Sequence, residues 1–316
     1  MKKTFFFSLF FASIERKLQK ISFSVLRYAV KYDNIFLIEI YRERGIKELK
    51  TRVISGAVLI VITFTCVLLS PVTRIIFFAV AGLLCAYEYS RGLEKIEVYC
   101  CAWVMYVYIC AQAILAFFHA GPVALISCFC AAVFIALFSG ILHKKVSGSG
   151  ALYTLAGVAY PCFLFNLLMV ISVTELWAQT LLVGSVATWV CDTAALIGGS
   201  RYGKHKVAPL VSPHKTVEGC LFGLASSLPS ALLLYVILKP TALALPFSVI
   251  LVTCVLASSM GQIGDLAESL IKRMVGVKDF SNLIPGHGGM FDRADSLLFA
   301  IPTAYLCLYI ANLIAK

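Results

Sequence analysis

Long apolar runs separated by short polar intervals are the dominant pattern of this chain. A helix needs about 20 apolar residues to cross a bilayer. About nine stretches of that kind are present, and each is predicted to form one membrane-spanning helix. They are residues 53–70, 72–90, 98–118, 122–142, 151–173, 177–198, 219–238, 242–263 and 294–314. Because most intervals are too short for a separate domain, the pattern predicts an all-α polytopic integral membrane protein.

Composition and charge placement support this fold class and define an orientation. Hydrophobic residues make up 60% of the chain and the mean hydropathy is +0.91, which excludes an ordinary soluble domain. With the N-terminus in the cytoplasm, 24 of the 27 Lys and Arg residues lie on the inner face. The net charge of +11 is therefore explained by topology rather than by nucleic acid, and we expect no nucleic-acid partner. A basic inner surface also attracts anionic membrane lipids.

The chain divides into two segments of different character. Residues 1–49 are a basic extension. Within it, residues 14–31 carry Lys and Arg between apolar positions, as in a helix lying on the inner leaflet. A poorly ordered extension is the alternative interpretation. Residues 50–316 form the predicted transmembrane domain, with catalytic inner-face loops at 199–218 and 264–295.

The stretch 264–295 is unusually polar for a chain with only 14% charged residues. Its first part is predicted to be helical, with four polar residues on one face: Asp265, Glu268, Ser269 and Lys272. A tight turn is then predicted around His287 by its neighbours Pro285, Gly286, Gly288 and Gly289. Asp292 and Asp295, three residues apart, are expected on one side of the next helix.

A second polar region is predicted to converge on the same inner pocket. Asp192 lies within an apolar run, where an ionised acid normally faces a polar cavity or a partner. We place it at the floor of the pocket, below the basic loop 199–218. Another intramembrane acid, Glu88, is expected to snorkel to the interface or to pair with Arg91.

Clustered carboxylates next to lysine and arginine suit a metal–phosphate complex. Mg²⁺ prefers oxygen ligands from one or two carboxylates, water and substrate phosphates. Lysine and arginine stabilise the charge that develops on a transferring phosphoryl or nucleotidyl group. The alternative is that these charges merely pair with one another at a wet interface.

The spacing of these residues resembles the signature of the phosphatidate cytidylyltransferase family, also called CDP-diacylglycerol synthases. The matching positions are Ser269-x-x-Lys272-Arg273, Lys278-Asp279 and Pro285-x-His287-Gly288-Gly289-x-x-Asp292-Arg293-x-Asp295. Upstream, Tyr202-Gly203-Lys204 and Ser212-Pro213-x-Lys215-Thr216 are similar to other stretches of that family. The likeness runs from about Lys50 to the C-terminus.

The resemblance implies the reaction CTP + phosphatidate → CDP-diacylglycerol + pyrophosphate. It implies Mg²⁺ as cofactor, with a second cation that we expect to be monovalent, and a homodimer. Metal ligands are then expected at Asp265, Asp292, Asp295 and Asp192. Catalytic roles are assigned to Asp265, Asp292, Lys272 and His287. Substrate contacts are assigned to Arg273, Lys278, Lys204, Lys215, Ser269 and Arg293.

The same resemblance implies a location and a route for the lipid. The protein is expected in the cell inner (plasma) membrane, with its active site at the cytoplasmic face. Phosphatidate would enter sideways, with its acyl chains in the bilayer and its phosphate meeting CTP at the interface.

Two other functions are compatible with the residues. A CTP-dependent kinase of a lipid alcohol would transfer phosphate instead of CMP. A cation-coupled transporter would use the acids as a relay, but it predicts acids spread through the depth of the membrane. Here they are concentrated in one inner-face segment.

Overall fold

The computed structural model describes residues 35–142 and 146–315, which are almost entirely helical. The predicted basic extension therefore lies mostly outside the described residues. The helices are α1 Ile35–Leu69, α2 Pro71–Glu94, α3 Ala102–Phe117, α4 Pro122–Leu142, α5 Gly148–Gly157, α6 Phe163–Ile171, α7 Trp177–Tyr202, α8 Val217–Ala225, α9 Ser227–Leu238, α10 Phe247–Met274 and α11 Phe291–Ala315.

These helices make the chain a multi-pass membrane protein, as predicted. Within the described ranges, eight helical segments are long and apolar enough to cross a bilayer. The predicted span 98–118 is shorter than expected, because α3 has only 16 residues and extends about 24 Å. The predicted span 242–263 and the helical segment predicted after it form one continuous helix, α10, which begins at Phe247 and ends at Met274.

Two of the spans are interrupted. Pro161 falls inside the predicted span 151–173, where a proline is expected to kink a helix. The kink is present: a π-helical turn, Val158–Cys162, joins α5 to α6, and Tyr160 has φ −154° and ψ 112°. Proline causes this because it lacks the backbone N–H that a regular helix needs. The second interruption was not predicted and lies at Ser226, between α8 and α9.

A short hairpin replaces much of the loop predicted at 199–218. Strand β1, Lys206–Ala208, pairs antiparallel with β2, Ser212–Thr216. Thr216 then caps α8, its Oγ1 accepting from Gly219 N at 3.1 Å. Glu218 accepts from the backbone N–H groups of Lys204 and His205 at 3.0 and 3.1 Å. These bonds fix the hairpin on the end of α8.

The chain forms two compact units. The first runs to Ile62 and includes Asn282–Gly288, and the second comprises Thr63–Ser281 and Gly289–Lys316. Within the second unit, one core is built mainly by α2, α3, the helices around Pro161 and α11. Another core is built by α7, α9, α10 and α11. Helix α11 contributes to both cores, so its first turn, which carries Asp292 and Asp295, has a fixed position.

Helices α10 and α11 approach each other most closely where the acids lie. A Cβ atom at Gly264 would be 2.6 Å from the backbone oxygen of Asp295 and 2.7 Å from Phe299 Cδ2. Small residues at helix crossings allow this kind of backbone contact in membrane proteins. Gly264 precedes Asp265, so the crossing brings the acids of both helices together.

Replacing Gly264 with alanine should weaken this crossing. The added methyl group meets a backbone carbonyl that cannot rotate away, so Gly264→Ala should destabilise the protein by about 1–3 kcal/mol. Gly148→Ala is the control, because a Cβ atom there meets nothing within 4 Å. Thermal unfolding in detergent measures both variants. Equal midpoints for the two would show that the crossing tolerates a side chain.

Candidate active site

The site is built on one face of the cytoplasmic end that we predict for α10. Ser269 Oγ donates to Asp265 Oδ1 at 3.3 Å, and Lys272 Nζ lies 2.5 Å from Glu268 Oε2. Both pairs are four residues apart, which is the spacing that brings helical side chains into contact. The predicted shared face of Asp265, Glu268, Ser269 and Lys272 is therefore confirmed.

Lys272 links α10 to α11. Besides Glu268, its Nζ donates to Asp292 Oδ1 at 2.9 Å. The side chains of Glu268 and Asp292 are 0% and 2% exposed, and that of Lys272 is 13% exposed. Buried charges of this kind are tolerated because they are paired, and removing one partner typically costs about 3–5 kcal/mol. Lys272 thus neutralises two buried acids at once.

Asp292 also organises the segment that leads into α11. Its Oδ2 accepts from Phe280 N at 3.0 Å and from Gly289 N at 2.9 Å. Together with Lys272, these donors engage both carboxylate oxygens. Asp292 therefore holds Phe280 and Gly289, which lie on either side of a turn, in addition to Lys272.

A second lysine reaches the cluster from the hairpin. Lys215 Nζ, on β2, lies 2.5 Å from Asp265 Oδ2, and both side chains are partly exposed. Asp192 and Asp295 are near enough for their charges to act on Asp265 and on each other. Asp295 Oδ1 accepts from Ser296 N at 2.7 Å. Asp192, Asp265 and Asp295, predicted as metal ligands, thus lie on α7, α10 and α11 within range of one another's charge.

The cluster matches the donor chemistry of a hard divalent cation. All of its acidic groups offer oxygen ligands, which Mg²⁺ prefers. Glu268 Oε1 is buried and has no hydrogen-bond partner among the described residues. Within the same residues, no group of three or more acidic, cysteine or histidine side chains is already arranged around a metal position. The residue types therefore fit Mg²⁺. In the described structure, the ammonium groups of Lys215 and Lys272 contact the carboxylates of Asp265 and Glu268.

The remaining predicted substrate contacts lie around this cluster. Arg273 Nε donates to Val211 O at 3.0 Å, which ties α10 to the turn of the hairpin. Lys204, Lys278 and Arg293 are exposed. These basic residues do not enter the ion pairs of the cluster in the described structure, so their predicted phosphate contacts stay predictions.

His287 belongs to the first unit, in the predicted tight turn. The turn is confirmed: His287 N donates to Ile284 O at 2.8 Å, and Gly286 and Gly288 have φ values of 77° and 84°. His287 Nδ1 lies 2.9 Å from Ser55 Oγ, which itself donates to Pro285 O at 2.8 Å. The hydroxyl hydrogen is therefore used elsewhere, and Nδ1 acts as the donor.

The sequence matches a known enzyme family over most of its length. A family model described as the cytidylyltransferase family matches residues 50–311. The chain belongs to the cytidylyltransferase family. It is accordingly a nucleotidyltransferase, which is consistent with a site made of carboxylates and lysines.

Relatives of this cytidylyltransferase are found among staphylococcal proteins named phosphatidate cytidylyltransferase. The protein from Staphylococcus saprophyticus is 36% identical over 178 residues, 55% of this chain and 66% of the relative. That from Staphylococcus aureus strain COL is 36% identical over 196 residues, 60% of this chain and 73% of the relative. That from Staphylococcus haemolyticus is 41% identical over 130 residues, 40% of this chain and 48% of the relative.

Glu88 is a residue of this cytidylyltransferase whose role was wrongly predicted. Arg91, its expected partner, instead pairs with Glu94 at 2.8 Å. Glu88 is 2% exposed, and it accepts from Ser281 Oγ at 2.5 Å, Met290 N at 3.0 Å and Phe291 N at 2.8 Å. It therefore holds the start of α11. The signal in the sequence was an acid inside an apolar span, which requires a partner.

Removing the charge of Glu88 should loosen the start of α11. In Glu88→Gln the amide nitrogen faces backbone donors, and the loss of charged hydrogen bonds should cost about 1.5–3 kcal/mol. Hydrogen exchange at Met290 and Phe291 should become faster. Glu94→Gln is the matched control, because its exposed pair contributes at most about 1 kcal/mol. Unchanged exchange in Glu88→Gln would contradict this anchoring role.

Proposed function

We propose that this cytidylyltransferase converts CTP and phosphatidate into CDP-diacylglycerol and pyrophosphate. The observation that carries the proposal is the Lys272–Asp292 ion pair between two helices, with the Lys215–Asp265 pair on the same face of α10, in a chain that belongs to this family. The names of its staphylococcal relatives, which it matches over about half to three quarters of their length, suggest the lipid substrate.

The reaction is a displacement at the α-phosphorus of CTP. A phosphate oxygen of phosphatidate forms a bond to that phosphorus, and the bond to the oxygen that bridges to the β-phosphate breaks. The electron pair leaves with pyrophosphate. Because the attacking oxygen is already anionic, no strong general base is needed, and the protein must instead manage the charge of two anionic reactants.

Lys272 and Lys215 are suited to hold phosphate oxygens. Each ammonium group is already aimed by carboxylates, so little side-chain entropy remains to be lost when an anion binds. Lys272 is held from two helices, which limits its movement during the reaction. Ser269 donates its hydroxyl hydrogen to Asp265, and its predicted substrate contact stays a prediction.

Asp265, Asp292, Asp295 and Asp192 would hold Mg²⁺. When bound, the ion would offset the negative charge that accumulates between the reactants. The second, monovalent cation stays a prediction, as does the homodimer. The catalytic role of His287, as a ligand of phosphate or as a proton donor to the leaving pyrophosphate, stays a prediction.

We place the site at the cytoplasmic face of the cell inner (plasma) membrane. The support is the inner-face bias of Lys and Arg in the sequence. Arg273, Lys278, Lys204 and Arg293 would surround the entrance on that face with positive charge. Such a rim attracts a triphosphate before it binds.

Isotope placement in CTP tests the reaction and separates it from a lipid kinase. With purified protein, Mg²⁺ and phosphatidate, label at the α-phosphorus should enter the lipid, and label at the γ-phosphorus should leave as pyrophosphate. A lipid-alcohol kinase gives the opposite distribution. Transfer of the γ-label to lipid, or no labelled lipid at all, would reject the proposed reaction.

Asp265→Asn tests the predicted metal ligand. Loss of the carboxylate charge should lower turnover by at least about 100-fold. The side chain keeps its size and a hydrogen-bond acceptor, so insertion and folding should persist. Thermal stabilisation by Mg²⁺, which follows from binding to the folded state, should also disappear. Glu97→Gln, a change at an exposed acid outside the cluster, should retain both properties.

Full turnover in Asp265→Asn would remove this residue from the mechanism. Retained Mg²⁺ stabilisation with lost turnover would assign it to substrate binding instead of the metal.

A further inference from the structure

An apolar groove opens beside the carboxylate cluster. It has a volume of about 360 Å³, within the ~300–1,000 Å³ of small-molecule sites. Helices α8 and α10 form its walls, and Val207 of β1 closes one end. Its lining is almost entirely apolar and consists of Val207, Val217, Cys220, Leu221, Leu224, Ser259, Gln262, Ile263 and Leu266.

The groove is open toward the outside of the helices. Leu221 and Ile263, on its two walls, are 60% and 50% exposed. Both helices belong to candidate membrane spans, so this opening faces lipid hydrocarbon. The polar side chain of Gln262 is already engaged, its Nε2 donating to Cys220 O at 3.2 Å. The space therefore suits an apolar occupant.

One end of the groove meets the ion pair of the site. Leu266 directly follows Asp265, and Val217 lies two residues after Lys215. Cys220, in the wall, is near enough to Lys215 and Asp265 to feel their charges. An amphiphile lying in the groove can thus keep its chain against α8 and α10 and bring an anionic head group to Lys215.

We propose that this groove holds one acyl chain of phosphatidate and that α8 and α10 form the lateral entrance for the lipid. The inference rests on the proposed function, because that function supplies the lipid. Its geometric basis is independent: an apolar groove between two helices of candidate membrane spans is lined by Val217 and Leu266, close in sequence to the Lys215–Asp265 ion pair.

Chain-length kinetics test the groove. Leu224→Trp should fill it and displace about two methylene groups of the chain, which raises KM for dioleoyl phosphatidate about 10-fold. KM for dihexanoyl phosphatidate and KM for CTP should stay within about twofold of the parent. Leu228→Trp is the matched control, since Leu228 is exposed on α9 outside the groove. It should leave all three constants unchanged.

A binding measurement tests the same groove without turnover. Leu221→Trp places an indole at the rim, where a dibrominated acyl chain in the groove should quench its fluorescence. Brominated phosphatidate should quench it at least about twofold more than brominated phosphatidylcholine, whose head group cannot enter the site. The control Leu228→Trp should be quenched equally by both lipids, as expected for ordinary bilayer contact.

The groove assignment would be overturned if Leu224→Trp changed KM equally for long-chain and short-chain phosphatidate. Equal quenching of Leu221→Trp by the two brominated lipids would also overturn it. Preferential quenching by phosphatidate without any CDP-diacylglycerol formation would reject the proposed reaction and retain the groove. If Leu224→Trp turned over phosphatidate of both chain lengths with parental KM values, the groove would be rejected and the proposed reaction retained.

Discussion

One shared ammonium group makes the polar site compatible with a helical membrane protein. Lys272 Nζ contacts Glu268 and Asp292, two carboxylates that are almost fully buried between apolar helices. An isolated buried carboxylate is costly, because it loses its hydration without gaining a partner. With the lysine in place, the acids can remain where an anionic substrate will arrive. The same contacts tie α10 to α11, so the stability of the helix pair and the geometry of the site depend on one interaction.

The surrounding backbone supports this arrangement from two directions. Gly264 lets α10 approach the carbonyl group of Asp295 on α11. Glu88 on α2 and Asp292 each accept from backbone N–H groups near the start of α11. Because α11 also packs in both apolar cores, its first turn cannot shift without disturbing the rest of the unit. Buried polar networks of this kind favour one conformation when all their members are satisfied.

Local patterns in the sequence predicted the parts of the fold that depend on local physics. The helical face of α10 follows from four-residue spacing, and the kink follows from the missing N–H of Pro161. The apolar run of α10 ends near residue 263, while the helix continues through the predicted polar face to Met274. Polarity marks where a helix leaves hydrocarbon, and it does not mark where the helix stops.

Local sequence patterns could not predict contacts between segments that are distant in the sequence. The partners of Glu88 are about 200 residues away in sequence, and two of them are backbone N–H groups, which every residue other than proline offers. Spacing can therefore show that Glu88 needs a partner but cannot name it. The hairpin at Lys206–Thr216 escaped prediction for a related reason, since its strands are three and five residues long and carry no clear alternation.

The adjacency of charge and apolar surface on α10 follows from helix geometry. Successive residues of a helix point about 100° apart, so Asp265 can face the carboxylate cluster while Leu266 faces the groove. A phospholipid such as phosphatidate likewise joins an anionic phosphate covalently to apolar acyl chains. One helix that changes character between neighbouring positions can therefore contact both parts of such a molecule. This explains why the ion pairs and the groove share α10 without a separate lipid-binding domain.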